Sequence, residues 1–249
     1  MTGLLMVTGG SRGIGAATAL RAARDGWDVC VGYRNEAAAA EDVAAAGGAG
    51  GRARGPKAMT AQVDVSDEDD VDAFFSRAED ALGPVAGLVN NAGIVAPQSR
   101  VANLDADRIR RVVEVNVVGA FLCAGAAVRR MTPAGSGVIV NVSSRAAVLG
   151  GPGEYVDYAA SKAAVDTLTV GLAREVAANG IRVNCVRPGL IETDIHASGG
   201  EPGRVARLAP TVPMGRGGRA DEVAETIVWL LSPAASYVTG ALLDVSGGR

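Results

Sequence analysis

Thr8-Gly9-Gly10-Ser11-Arg12-Gly13-Ile14-Gly15 follows the short apolar run Leu4 to Val7 and leads straight into an alanine-rich stretch of helical character. Glycines at such a strand-to-helix turn let the backbone bend sharply and approach a pyrophosphate. The helix N-terminus adds unpaired N–H groups and the positive end of its dipole. Gly9, Ser11, Arg12, Gly13, Ile14 and Gly15 are therefore expected to cradle a dinucleotide. The spacing differs from the general Gly-x-Gly-x-x-Gly fingerprint, and a glycine-rich turn without a ligand is the plain alternative. The same residues also spell Gly-x-Ser-x-Gly, from Gly9 to Gly13, the mark of a hydrolase nucleophile elbow. Context rejects that reading, because no earlier strand precedes it to supply an oxyanion donor and the single histidine, His196, shows no sign of being placed as a base.

Outward from this turn, short β-branched runs alternate with longer helical patterns, which is the mark of βαβ units and a parallel sheet. Strands are predicted at Leu4 to Thr8, Asp28 to Tyr33, Lys57 to Val65, Val85 to Asn90, Gly137 to Val142, Ile181 to Val186 and Ala241 to Val245. Helices are predicted near Gly13 to Asp25, Glu36 to Ala46, Glu68 to Leu82, Asp105 to Met131, Tyr155 to Ala178 and Asp221 to Leu231. The expectation is a single-domain α/β fold of the doubly wound Rossmann type over 1–249, with helices on both faces of a seven-stranded parallel sheet. A chain of 249 residues, 48% hydrophobic, can bury one large core. The glycine-rich stretch Gly47 to Gly55 reads as a surface turn, and no internal repeat is visible. The longest irregular segment, Pro188 to Gly218, is the expected substrate-binding loop or lid, with Ile195, His196 and Met214 as candidates to face the ligand, although His196 reads more readily as a solvated loop residue.

A formal net charge of −3, with arginines spread along the chain, leaves no basic patch for a phosphate backbone, so no nucleic-acid partner is expected. The first ten residues lack a basic segment before their apolar run, and no later stretch is expected to span a membrane; a soluble, cytoplasmic protein follows as the expectation. Cys30, Cys123 and Cys185 are far apart inside apolar stretches and read as core residues rather than a disulfide or metal set.

An acid about 20 residues beyond the glycines usually holds the ribose hydroxyls of NAD, whereas an Arg accommodates the extra phosphate of NADP. The second strand ends Gly32-Tyr33-Arg34-Asn35, with no acid at its tip. Arg34 and Arg12 together match what a phosphate prefers, so NADP(H) is expected over NAD(H). Asp64, with Val65 beside it, is placed to meet the adenine, or Asp64 caps the next helix with Ser66.

Tyr158 and Lys162 lie four apart on a predicted helix and so share one face. A phenol must lose about 3 pH units from its ordinary pKa near 10 to exchange protons near neutrality, and a fixed ammonium is one way to lower it. Lys57 and Lys162 are the only lysines in a chain that otherwise uses arginine, which marks Lys162 as a chosen point charge. Asn116 falls on the apolar stripe Ile109, Val112, Asn116, Ala120, Cys123, so its amide should be buried and bonded. Ser143 and Ser144 follow a predicted strand at the carboxyl edge, where open α/β sheets bind ligands.

These features together resemble the classical short-chain dehydrogenase/reductase family along nearly the whole chain. The matching residues are the glycine turn, Asn90-Asn91-Ala92-Gly93, Asn116, Ser143-Ser144, Tyr158-x-x-x-Lys162, and Pro188-Gly189 leading to Thr193. The resemblance implies that Tyr158 donates and accepts the proton, that Lys162 lowers its pKa and holds the nicotinamide ribose, and that Ser144 binds the substrate oxygen. It implies that Asn116 anchors a water linking Lys162 to solvent. It also implies that Asn91, Ala92 and Gly93 line the adenosine side of the cofactor and that Pro188, Gly189, Ile191 and Thr193 meet its carboxamide end. The interval from Ser144 to Tyr158 is one residue longer than in many members, so either serine of the pair fits the pattern, Ser144 being favoured. The stretches Gly153 to Tyr158 and His196 to Gly203 look like a bacterial sugar (glucose 1-) dehydrogenase-like subgroup. A homotetramer assembled through the long helices after the fourth and fifth strands is also implied.

The expected function is hydride transfer between NADP(H) and a carbonyl or secondary alcohol. One alternative is a 3-oxoacyl thioester reductase of fatty-acid synthesis, for which Arg204, Arg207, Arg216 and Arg219 would form a docking patch for an acidic carrier. Another is a catalytically silent NADP-binding sensor or scaffold.

Overall fold

The computed structural model describes residues 3–48 and 57–249; the Gly47 to Gly55 turn falls outside the described residues from position 49 onward. Seven strands, β1 (Leu4–Val7), β2 (Asp28–Tyr33), β3 (Ala58–Gln62), β4 (Val85–Asn90), β5 (Gly137–Val142), β6 (Ile181–Pro188) and β9 (Leu242–Val245), form one sheet. Its order is β3-β2-β1-β4-β5-β6-β9 and every neighbouring pair is parallel. The fold is therefore the single-domain, seven-stranded Rossmann type expected from the sequence. The chain leaves β1 toward β2 on one side and returns to β4 on the other, and the crevice beyond the carboxyl ends at this switch is where such sheets hold ligands.

The connecting helices are α1 (Gly13–Arg24), α2 (Ala37–Gly48), α3 (Glu68–Leu82), α4 (Ala106–Val113), α5 (Gly119–Met131), the short α6 (Ala146–Leu149), and α7 (Val156–Val176). Further along lie α8 (Ile195–Ser198), α9 (Arg204–Leu208) and α10 (Ala220–Leu231). β1 is buried at every residue because helices cover both of its faces, which is why these strands read as continuous apolar runs rather than alternating ones. On one face Phe74 and Phe75 pack edge to face beneath Leu88, Ile139 and Met131; on the other Leu5, Trp27 and Val140 meet Val223 and Ile227. Each such buried apolar side chain contributes about 1.5 to 3 kcal/mol. Cys30, Cys123 and Cys185 are free and buried.

Two stretches of the chain depart from expectation. The helix predicted from Asp105 to Met131 is interrupted by a π-helical turn, Glu114–Val118, and Asn116 sits in it. Val112, Asn116, Ala120 and Cys123 are buried as predicted, but Ile109 is 41% exposed, since α4 packs chiefly on α7 rather than on a strand. The continuous helical stretch Ala106–Ala134 is also long and apolar enough by composition to cross a membrane, contrary to the expectation; half of its most apolar window is buried inside the domain, as in a core helix. Second, Pro188 to Gly218 is not irregular: it contains β7 (Ile191–Glu192), α8, α9 and β8 (Gly218–Arg219), with β7 and β8 paired in parallel. Elements of two to five residues are too short to display a period against a background of Gly and Pro.

Candidate active site

The turn after β1 owes its shape to Gly9 and Gly13, whose φ values of 62° and 55° are left-handed. Gly15 does not line the cleft. A Cβ there would stand 2.3 Å from the Gly9 carbonyl oxygen, so its absence lets α1 press against the turn. Asn91 locks the turn from the other side by donating from Nδ2 to the carbonyls of Thr8 and Gly9 at 2.9 and 3.0 Å. Thr8 Oγ1 in turn accepts from the Asn91 and Ala92 amides, both at 3.0 Å. Thr8 was quoted in the motif but given no task; its burial in the middle of a polar turn is the signal that marks it.

Above this turn opens a cleft of about 690 Å³ at the carboxyl edge of the sheet. It is lined by Gly9, Ser11, Arg12, Gly13, Ile14, Arg34, Asp64, Val65, Asn91, Ala92, Gly93, Ser144, Tyr158, Lys162, Pro188, Gly189, Ile191 and Thr193. Of the residues expected to hold the cofactor or take part in catalysis, Gly15 and Asn116 stand behind the wall. Helix α1 starts with no side-chain cap, whereas Asp67 caps α3 and Asp105 caps α4, so the first N–H groups of α1 are left for an anion. The residues present thus fit a dinucleotide phosphate.

At the far end of β2, an Arg34 Nη lies 2.7 Å from Asp64 Oδ2. Asp64 does not cap α3, which is the task of Asp67; its other oxygen accepts from Ser66 N and Oγ. Burial would raise the Asp64 carboxyl, but the Ser66 bonds and the Arg34 guanidinium outweigh it and hold it below the usual range. Arg12 is exposed at the cleft and, among the described residues, makes no side-chain hydrogen bond or ion pair.

Tyr158 and Lys162 project from α7 into the same cleft, with Nζ 5.7 Å from the phenol ring centre. Lys162 is only 4% exposed and donates to the Val142 carbonyl at 2.9 Å. Burial lowers its ammonium to about 8, against a smaller upward pull from Cys185 and Asp166. The expected acidification of Tyr158 is absent: burial raises the phenol above its ordinary value, and only the neighbouring Ser144 hydroxyl works against that. The two serines separate cleanly. Ser143 Oγ is committed to the Lys162 carbonyl at 3.0 Å, while Ser144 stands beside the phenol and accepts from the Ala146 amide at 3.1 Å.

Asn116 is 1% exposed. It accepts from Ile94 N at 2.8 Å and donates to Ile94 O and Ser161 Oγ at 2.9 and 3.0 Å, pinning the strand-end segment that carries Gly93. A Cβ on Gly93 would lie 3.2 Å from Lys162 Nζ and 3.3 Å from Asn116 Oδ1, so the ammonium and the amide flank one small space.

The outer cleft is formed by Val95, Leu149, Tyr155, Ile195, His196, Ser198 and Arg204. His196 is half-buried, with Nε2 2.9 Å from the Ile191 carbonyl, rather than solvated; burial is the main cause that lowers its pKa. Met214 is 64% exposed and lies outside the lining, contrary to expectation. Glu154 and Tyr155 had no individual role in the sequence reading, and Arg204 only a place in a docking patch. Arg204 bonds Glu154 and Glu201 and lies 4.9 Å from the centre of the Tyr155 ring, a meeting of two distant loops that no local pattern encodes.

The model of the family described as enoyl-(acyl carrier protein) reductase matches residues 9–249. The uncharacterized oxidoreductase YgfF of Escherichia coli (strain K12) is 56% identical over 253 residues, covering 99% of each chain. The cis-4-hydroxycyclohexanecarboxylate dehydrogenase of Sinomonas cyclohexanicum is 45% identical, over 98% of this chain and 94% of its own. Among solved structures, a short-chain type dehydrogenase/reductase from Mycobacterium marinum superposes with TM-score 0.92 at 34% identity, covering 99% of this chain and 94% of that one. The 3-ketoacyl-(acyl-carrier-protein) reductase from Brucella melitensis, complexed with NADH, gives TM-score 0.90 at 33% identity, covering 99% and 98%. The chain belongs to the short-chain dehydrogenase/reductase family and is an NAD(P)(H)-dependent oxidoreductase of the general kind typical of that family.

Proposed function

We propose that this protein is an NADP(H)-dependent reductase or dehydrogenase of small carbonyls and secondary alcohols, with Tyr158 as the proton donor and acceptor. The observation that carries the reading is the meeting of Ser144, Tyr158 and Lys162 in one cleft above the glycine turn. The nicotinamide, when bound, supplies the hydride chemistry. Ser144 holds the substrate oxygen beside the phenol, and Tyr158 gives that oxygen its proton or removes it. Burial keeps the phenol protonated, which suits donation to a developing alkoxide; reversal requires the Lys162 ammonium to favour the phenolate. Asn116 holds the strand-end segment so that Lys162 keeps its place, and the space beside Gly93 is where a water linking Lys162 to solvent belongs.

Arg12 and Arg34 support NADP(H) over NAD(H), since both guanidiniums line the cleft and β2 itself ends in Tyr33-Arg34 rather than in an acid; the Asp64 carboxylate beside Arg34 would have to release it to a phosphate. The wall of Val95, Leu149 and Ile195 suits a compact apolar or alicyclic substrate, and the lid at 188–218 would select among such substrates. A sugar is less well matched, and none of the relatives compared is described as a glucose 1-dehydrogenase. The thioester alternative draws support from relatives described as 3-oxoacyl-[acyl-carrier-protein] reductases, such as the one from Synechocystis at 38% identity. The lid arginines weigh against it. Arg204 and Arg207 pair with Glu154 and Glu201, Arg216 with Glu222, and Arg219 with Asp221, so these four are each matched by an acid rather than free to dock an acidic carrier. The silent-sensor alternative is disfavoured by the completeness of the Ser144, Tyr158, Lys162 and Asn116 set.

The exposed side chains Ile109, Val113, Val118 and Phe121 on α4 through α5 support the proposed homotetramer, and a cytoplasmic location fits that reading. Light scattering on the purified protein checks it, four chains being the expected mass. A panel of ketones, cyclic alcohols, sugars, steroids and acetoacetyl thioesters, followed by nicotinamide absorbance with both cofactors, tests the function. Turnover of alicyclic ketones with NADPH is expected; NADPH binding without turnover across the panel would refute an enzymatic role.

A further inference from the structure

Three segments carry the groups just assigned: the turn after β5 with Ser144, the end of β6 with Pro188 and Gly189, and α7 with Tyr158 and Lys162. A chain of charges that proton transfer does not use joins all three. Arg145, next to Ser144, donates from Nη1 to Asp244 Oδ2 at 2.6 Å. Arg187, next to Pro188, donates from Nε to Asp244 Oδ1 at 2.7 Å. The Nη1 of Arg187 lies 3.6 Å from Asp166 Oδ2, one helical turn beyond Lys162. Asp244 comes from the edge strand β9, in register with Arg187.

The position of this chain matters because the sheet stops holding the loops there. The β5–β6 register ends at Val142 opposite Val186, and past it the Ser144 turn is tied to β6 by two backbone bonds, Ser143 N to Val186 O and Arg145 N to Pro188 O, both 2.9 Å. Arg145 also donates from Nε to the Arg249 carbonyl at 2.6 Å. Without the Asp244 carboxylate, the guanidiniums of Arg145 and Arg187, both largely buried, would lose their shared counter-charge and repel.

We propose that Asp244 is a positioning residue: by binding Arg145 and Arg187 with its two carboxylate oxygens, it sets the Ser144 turn against the Pro188-Gly189 segment and α7, and so aligns the Ser144 and Tyr158 hydroxyls. The inference rests on the proposed roles of Ser144 and Tyr158. Because Asp244 is itself more than a third exposed, and Arg187 keeps Asp166 and Arg145 keeps the Arg249 carbonyl when it is neutralised, Asp244→Asn should lower the melting temperature by no more than about 4 °C. A misplacement of about 1 Å at reacting groups, by contrast, costs on the order of 100-fold in rate.

The experiment measures steady-state kinetics, NADPH binding by fluorescence and melting temperature on full-length Asp244→Asn, Asp244→Glu, Arg187→Gln and the Asp244→Asn/Arg187→Gln double variant. Tyr158→Phe serves as the reference, and the most active ketone of the panel above as substrate. Asp244→Asn should lose about 10- to 100-fold in kcat while the NADPH Kd stays within about threefold. Asp244→Glu should recover most of the loss, and the double variant should be no worse than Asp244→Asn. Unchanged kcat in Asp244→Asn, or a loss of NADPH binding parallel to the loss of kcat, overturns the positioning role while an inactive Tyr158→Phe leaves the proposed function standing. Full turnover in Tyr158→Phe overturns the proposed function itself and the inference with it.

Discussion

Replacing Lys162 by Met should make the protein more stable and less active, in proportions that the burial of the ammonium sets. The side chain is 4% exposed, and burial takes its pKa from the ordinary 10.5 to about 8. At 1.36 kcal/mol per pH unit, holding the proton there costs the fold about 3 kcal/mol at neutral pH. Methionine fills a similar volume without that cost, but it leaves the Val142 carbonyl without its donor, a loss of about 1 kcal/mol or more. The net gain at pH 7 is about 2 kcal/mol, or roughly 4 to 8 °C in melting temperature for a chain of this size. The sign follows from the folded state disfavouring the ammonium: the penalty is complete below pH 8, fades as pH rises, and is gone above 10.5, where the unfolded lysine is neutral too. Thermal and urea unfolding without cofactor, at intervals between pH 6.5 and about 10.5, should show the advantage of Lys162→Met shrinking and then reversing. A variant less stable than wild type at pH 7, or a difference independent of pH, would refute the reasoning that burial strains this lysine.

Arg34→Asp should cut kcat/KM for NADPH by about 10- to 100-fold, the loss of one or two charge-assisted hydrogen bonds, and leave NADH equal or better; an unchanged cofactor ratio would remove Arg34 from the phosphate site. Arg108→Ala strips the partner, at 2.8 Å, from Asp157, whose side chain is 4% exposed, and should cost about 3 kcal/mol. Burial would raise Asp157 and the Arg108 bond now outweighs it, so in the variant the deficit should be largest at pH 7 and should shrink as the medium is acidified toward pH 4, as unfolding midpoints would record. Gly93→Ala places a methyl between Lys162 Nζ and Asn116 Oδ1 and should lower kcat by about tenfold with little change in melting temperature.

The architecture was legible in the residues because helices cover both faces of the sheet: continuous runs such as Leu4 to Val7 and Gly137 to Val142 have no other stable use in a chain of this composition. Tyr158 and Lys162 were legible for a local reason, since a four-residue spacing puts both on one helix face, and the glycine turn because it joins a strand to a helix; Asn91 entered only through the family resemblance. The lid was not. Its elements are held by bonds between positions far apart in sequence, such as Arg204 to Glu154 and β7 to β8, and neither leaves a period. The commitment of Ser143 Oγ to the Lys162 carbonyl likewise depends on side-chain directions at the end of β5, and the upward push on the phenol's pKa on its burial, neither of which an i, i+4 pairing reveals.

Tyr158→Phe removes one oxygen atom and bears most directly on the claim that this phenol moves the proton. With the preferred ketone and NADPH, kcat should fall by at least about 100-fold while NADPH binds as in the wild type. Turnover within about tenfold of wild type would contradict it.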